Sequence, residues 1–212
     1  MSTFMDVKQK CSVCGKKSAQ NIITSTNSFG SPDLDLRPPE MKRSTMPLWV
    51  HECPTCGYVA EDLSDRTTAS EPWLASEPYV TCDGIPFASE LAKRFYRRYL
   101  IAVLDTDTDA AYAAARNAAW ASDDVGDEKS ATLCRNLAAK ELARLIEERP
   151  KRCELRICLC DILRRAGRFD EAIAVAREAK TSEEILKKIL AFEIARAEEH
   201  STACYTVADA DD

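Results

Sequence analysis

The sequence predicts a mainly α protein, in which a small β zinc-ribbon module precedes a tetratricopeptide-like α-helical domain. Three observations predict it. Two CxxCG motifs, Cys11-Ser-Val-Cys14-Gly15 and Cys53-Pro-Thr-Cys56-Gly57, stand near the start of the chain. Between Pro86 and Pro150 there is no proline, and alanine, leucine, glutamate and arginine dominate. Turn glycines at Gly126 and Gly167 then punctuate that helical texture.

The zinc-ribbon module is placed at residues 1–64. Two thiols three residues apart, followed by a glycine, make a knuckle: the tight turn brings both sulfurs to one ion, and glycine accepts the conformation the turn needs. Two knuckles supply Cys11, Cys14, Cys53 and Cys56, a complete tetrahedral zinc site. A redox reading of the CxxC pairs lacks the helix-opening βαβ setting that such centres use. With four thiolates and no open position, the zinc is expected to be structural. His51 lies two residues before Cys53 and could replace a ligand on the same strand face, although four cysteines leave it a supporting or surface role.

Within the module, the β-branched run Asn21–Thr26 reads as a strand, Leu48–Glu52 as a second and Gly57–Ala60 as a third. Residues 30–47 between them carry four prolines, which argue against a helix or central strand. That loop holds Asp33, Asp35, Arg37 and Glu40, groups suited to a charged ligand or to internal ion pairs. Residues 65–85 form a connector, punctuated by Pro72, Pro78 and Gly84.

The helical domain is placed at residues 86–212, with helices near 87–104, 108–122, 127–148, 152–165, 168–179 and 182–199. Asp107 or Thr108 should cap the second and Ser182 the last. In the stretch from Leu163 to Ala179, Gly167 precedes Phe169, Ala172 and Ala179 at the offsets of a tetratricopeptide repeat. Trp120, Gly126, Ala131 and Ala138 repeat the glycine-to-alanine offsets. Three departures matter. The two glycines stand farther apart than the ~34-residue tetratricopeptide period, Glu128 replaces the aromatic, and the proline expected at the end of the second repeat is absent. The helical hairpins are therefore tetratricopeptide-like.

Other features have bland readings. Cys158 and Cys160 form a CxC, but on a helix they point to nearly opposite sides and cannot easily share an ion. Cys153 and Cys160 share a face among Leu155, Ile157 and Leu163, where cysteine acts as a small core hydrophobe. Cys82 has no second thiol near it in the connector, and His200 reads as exposed. In Lys93–Tyr99, Leu91, Phe95 and Tyr99 should face the core while the cations stay solvated, although aromatics interleaved with cations could also touch RNA.

Composition bounds the function. The chain has 212 residues, 45% of them hydrophobic, and a net charge of -6, which argues against a generic nucleic-acid binder. Met1–Lys8 lacks an apolar core of signal-peptide length, and Leu100–Leu104 is far too short to span a bilayer. A cytoplasmic protein in a reducing compartment is expected, with its ten cysteines free or metal-bound.

The order of parts resembles an uncharacterised bacterial family that joins an N-terminal CxxCG…CxxCGY zinc-binding module to tetratricopeptide-like helices. Cys11, Cys14, Gly15, Cys53, Cys56, Gly57 and Tyr58 carry the first part. Ala119-Trp120 with Gly126, and Arg164-Arg165-Ala166-Gly167-Arg168-Phe169, carry the second. The resemblance implies a zinc-binding protein of unknown role and supplies no catalytic residues to carry over. The expected function is a protein-interaction module, its helical hairpins offering a groove to a protein or peptide. The alternatives are nucleic-acid binding through the zinc ribbon, whose residues 1–60 hold seven Lys/Arg against five Asp/Glu, and an enzyme with a site at the 31–46 loop.

Overall fold

In the computed structural model, which describes residues 2–211, each knuckle is the tip of a hairpin. Strand β1 (Thr3–Lys10) pairs antiparallel with β2 (Lys17–Ser25), Lys10 facing Lys17 beside the first knuckle. Strand β3 (His51–Glu52) pairs antiparallel with β4 (Val59–Ala60) around the second. The sequence reading missed β1 and began β2 late. Both strands are mostly exposed, so no buried face imposes the apolar alternation by which strands are recognised.

The segment read as a loop at 30–47 also differs. A 3-10 helix spans Arg43–Leu48 with Pro47 inside it, and it consumes the start of the expected strand at Leu48. So short a helix gives up only one donor to proline, whose fixed φ suits it. The connector is partly helical too, with α1 (Glu71–Leu74) and α2 (Glu77–Thr81). The Tyr79 hydroxyl on α2 donates to the Gly57 carbonyl at 2.6 Å, tying the connector to the second knuckle.

Six long helices follow: α3 (Glu90–Leu104), α4 (Thr108–Asp123), α5 (Glu128–Glu148), α6 (Cys153–Arg165), α7 (Phe169–Glu178) and α8 (Glu184–Glu198). They agree with the sequence reading to within three residues, the largest shift being the start of α3. Asp107 caps α4 by accepting from the Ala110 N–H at 3.0 Å. The expected Ser182 cap is replaced by Glu183, whose side chain makes no cap bond. Each long helix packs on its neighbours in sequence, and α6 also touches α8. Alanines at 111, 114, 115, 118 and 119 are all buried, which lets α3 and α5 close on both sides of α4.

The ends of α4 and α6 share one turn. Gly126 and Gly167 adopt φ of 71° and 77°. The next N–H then donates back across the turn, from Asp127 to the Ser122 carbonyl and from Arg168 to the Leu163 carbonyl. The end of α3 makes the same turn without a glycine: Thr106 takes φ 57° and the Asp107 N–H donates to the Ala102 carbonyl.

The core is continuous across the chain. One buried cluster runs from Cys11, Val50, Tyr58 and Leu63 through Phe95, Trp120 and Leu142 to Ala172 and Ala197. A smaller one joins Leu34, Ile157, Cys160, Ile189 and Ala210. Cys158 and Cys160 fall into different clusters, as their spacing requires. Cys82 is fully buried in a left-handed turn, where burial pushes its thiol up. Phe95 and Tyr99 face the core, but the intervening arginines are not left in water. Arg94 and Arg97 both reach Glu52, at 3.7 and 3.1 Å, and Arg98 reaches Glu61 at 2.8 Å. Because β4 packs on α3, the cations meet the two glutamates of the cysteine-bearing module.

Ala172 is 2% exposed on α7, while Arg168 is half-exposed and pairs with Glu171. Ala172→Leu is expected to force helices apart and cost about 1–3 kcal/mol. Arg168→Ala removes only a surface ion pair and should change stability by about 1 kcal/mol or less. Chemical denaturation of both variants checks this, and equal losses would refute the packed-hairpin assignment.

Candidate metal centre

The two knuckles are built alike. In each, the glycine N–H donates to the first cysteine's carbonyl at 2.9 Å, from Gly15 to Cys11 and from Gly57 to Cys53. The glycines hold φ of 70° and 74°. A Cβ on Gly57 would meet nothing within 4 Å, so it is backbone conformation and not space that requires glycine there. The first cysteine of each pair is buried and the second half-exposed.

The hairpins face each other so that the pairs interleave. Cys11 Sγ lies 3.7 Å from Cys56 Sγ, and Cys14 Sγ lies 3.7 Å from Cys53 Sγ. All four ligand atoms fall within 4.8 Å of one another. Four sulfurs at about 2.3 Å from a tetrahedral ion would stand about 3.8 Å apart, so the donor set fits a thiolate-preferring metal ion. Burial pushes the Cys11 and Cys56 thiols up. Burial acts on Cys53 in the same sense, but backbone groups of Cys56 and Thr55 and the neighbouring thiols outweigh it and bring that thiol below its ordinary value. A metal ion would take the set as thiolates, with release of protons.

His51 does not join the four sulfurs. It is 6% exposed on β3, and burial, aided by the Arg94 charge, lowers its pKa. The centre is braced against the chain that follows. The Ser12 N–H donates to the Leu63 carbonyl at 2.8 Å, and the Leu63 N–H donates to Gln9 Oε1 at 3.1 Å.

The charged groups of the 31–46 loop pair internally. Asp33 meets Arg43 at 2.6 Å, and Arg37 grips both oxygens of Asp124 on the turn after α4. Asp35 lies deepest. Its Oδ2 accepts from the Trp120 indole at 2.6 Å and from Arg165 at 3.1 Å. The loop is therefore inserted among the helices, and it also meets the far end of the chain. The Leu34 N–H donates to the Tyr205 carbonyl and the Val207 N–H to the Pro32 carbonyl. The exposed Glu40 stands apart from these pairs.

Sequence reasoning missed a second charged cluster. Arg164 is fully buried and donates to Glu193 at 2.7 Å, Asp161 at 2.6 Å and the carbonyls of Ser201 and Ala203. The only available signal was the i, i+3 spacing of Asp161 and Arg164 on one helix face, a pattern equally common on exposed faces. Among the described residues no helix is long and apolar enough to cross a membrane. Comparison with protein-family models, curated proteins and solved structures finds no match to this chain. The resemblance to the bacterial family thus rests on the motif residues alone.

Proposed function

We propose that the chain is a cytoplasmic protein-interaction module scaffolded by one structural zinc ion. The closed set of four thiolates supports zinc in a structural role, because catalytic zinc keeps a position for water. The observation that carries the interaction reading is the β1–β2 hairpin. Among the described residues it has no third strand, and a two-stranded hairpin alone is marginally stable in water. Its pairs Phe4–Ile23 and Met5–Ile22 leave Phe4 and Met5 about half exposed, at 49% and 51%. A partner strand laid on this open edge would complete both the backbone bonding and the apolar cover.

Elemental analysis of protein purified without added metal should find about one zinc per chain. Iron–sulfur colour, or free reactivity of all four cysteines in the native protein, would overturn the centre. For the interaction, affinity capture from native extract should recover a protein partner with the wild type and lose it with Met5→Asp. Equal recovery by both proteins, or recovery only of nucleic acid that is released by salt, would overturn the reading.

A further inference from the structure

A cleft of about 470 Å³ opens between β2, the 31–46 loop and α4. Its size falls within the range of small-molecule sites, and its position where separate segments meet is one such sites favour. Two tryptophans, Trp49 and Trp120, contribute to its walls. Arg116 and Lys42 supply positive charge, and no carboxylate lines it.

Arg116 is the informative residue. Its guanidinium lies 4.4 Å from the centre of the Trp120 ring and 5.0 Å from that of Tyr112. Its Nη1 has two long hydrogen bonds, both 3.3 Å, to the Asp35 carbonyl and the Tyr112 hydroxyl. Its Nε is buried and has no partner. Among the described residues Arg116 forms no ion pair, whereas Arg37, Arg135, Arg164 and Arg165 nearby all do. The Asp35 carboxylate favours this cation without touching it, so an anion in the cleft would supply the direct ion pair that Arg116 lacks. Beside it, Asn117 Oδ1 is also buried without a partner.

The rim adds a third sign. Leu36 holds φ 66° and leaves its side chain 51% exposed at the cleft. A leucine in the left-handed region is unfavourable, and such strain concentrates at binding sites. The surrounding turn imposes it: the Leu36 N–H donates to the Asp33 carbonyl, and the Asp33 N–H to the Arg37 carbonyl.

We propose that this cleft binds a planar heteroaromatic anion of mononucleotide size. Half-buried Trp49 offers aromatic surface to a flat ring, buried Trp120 backs Arg116 from beneath, Arg116 and Lys42 attract a phosphate, and Asn117 lines the cleft with a hydrogen-bonding amide. A free nucleoside monophosphate and one nucleotide of a single-stranded RNA share this chemistry.

The test is calorimetric titration of the full chain with adenosine and uridine monophosphates, with adenosine, with inorganic phosphate and with a short oligoadenylate. A monophosphate should bind at least tenfold more tightly than either the nucleoside or phosphate alone. Tighter binding of the oligomer than of the monomer assigns the site to RNA, and the reverse assigns it to the free nucleotide. Asn117→Leu should weaken binding tenfold or more without lowering thermal stability, because it removes an unpartnered buried acceptor. Lys42→Glu, at an exposed position, should weaken it similarly. Absence of binding by monophosphates and oligomer alike, phosphate alone binding as well as the nucleotide, or unchanged affinity in both variants would overturn the proposal.

Discussion

Arg164→Met is expected to be the most damaging single change, costing about 3–5 kcal/mol, as does breaking a buried ion pair by removing one partner. For a chain of this length that corresponds to roughly 6–20 °C in melting temperature. The guanidinium is fully buried and joins α6, α8 and the segment after α8 through four side-chain and carbonyl acceptors, with the Tyr205 ring 5.0 Å from it. Its loss strands two buried carboxyls and two carbonyls. Burial, reinforced by mutual repulsion, already pushes the Asp161 carboxyl well up, and burial also raises that of Glu193. Without Arg164 both should rise further. A carboxyl raised in the folded state binds protons that the unfolded chain has released. Stability of the variant should therefore fall as pH climbs from the unfolded carboxyl value toward the raised folded one. Denaturant melts at pH 5 and pH 8 check this. Adding Asp161→Asn and Glu193→Gln to the variant should recover part of the loss. A single variant that melts within a few degrees of the wild type would show the cluster to be energetically idle.

Metal removal has the second large effect. Structural zinc sites contribute about 10–16 kcal/mol of apparent binding energy, and here a bound ion would clamp two hairpins that the Ser12–Leu63 and Leu63–Gln9 bonds also join. After chelation, or in Cys53→Ser, amide exchange should become fast across residues 3–25 and 49–63. The helices should keep most of their far-ultraviolet signal, since α4 to α8 bury their faces on one another. Yet α3 will not be untouched. Arg94, Arg97 and Arg98 lose the anchored Glu52 and Glu61, and the shared core loses Val59, Ala60 and Leu63. The melting temperature of the remaining helices should therefore fall. Loss of nearly all helical signal would show that the helices cannot stand without the metal. Because protons compete for thiolates, lowering the pH should release the metal and reproduce the chelated state.

The helices and the four-cysteine centre were legible in the sequence because their signals are local. A CxxCG spacing determines its own turn, and buried alanines at helical period identify α4 without knowledge of its neighbours. The β1 strand was not legible, since its residues are selected for exposure. The Thr106 turn was hidden because no glycine marks it, the left-handed φ being taken by a residue that disfavours it. The fate of the proline-rich loop was the least visible. Asp35 and Trp120 are far apart in the chain, and no spacing rule connects a loop carboxylate to a helical indole. Charged residues there advertised chemistry, and most of that chemistry is directed inward.

The antiparallel bridge between Asp33 and Thr206 has a consequence for synthesis. At about 5–20 residues per second, a ribosome needs roughly ten to thirty seconds to travel from one to the other. Cys53 follows Cys11 after only a few seconds at that pace. The metal centre can thus close early on the nascent chain, while the loop beside it waits for most of the helical sequence to be translated. Through that interval Leu34 lacks its Tyr205 partner, and a chaperone or a premature stop would meet a chain that is metal-bound yet unsealed.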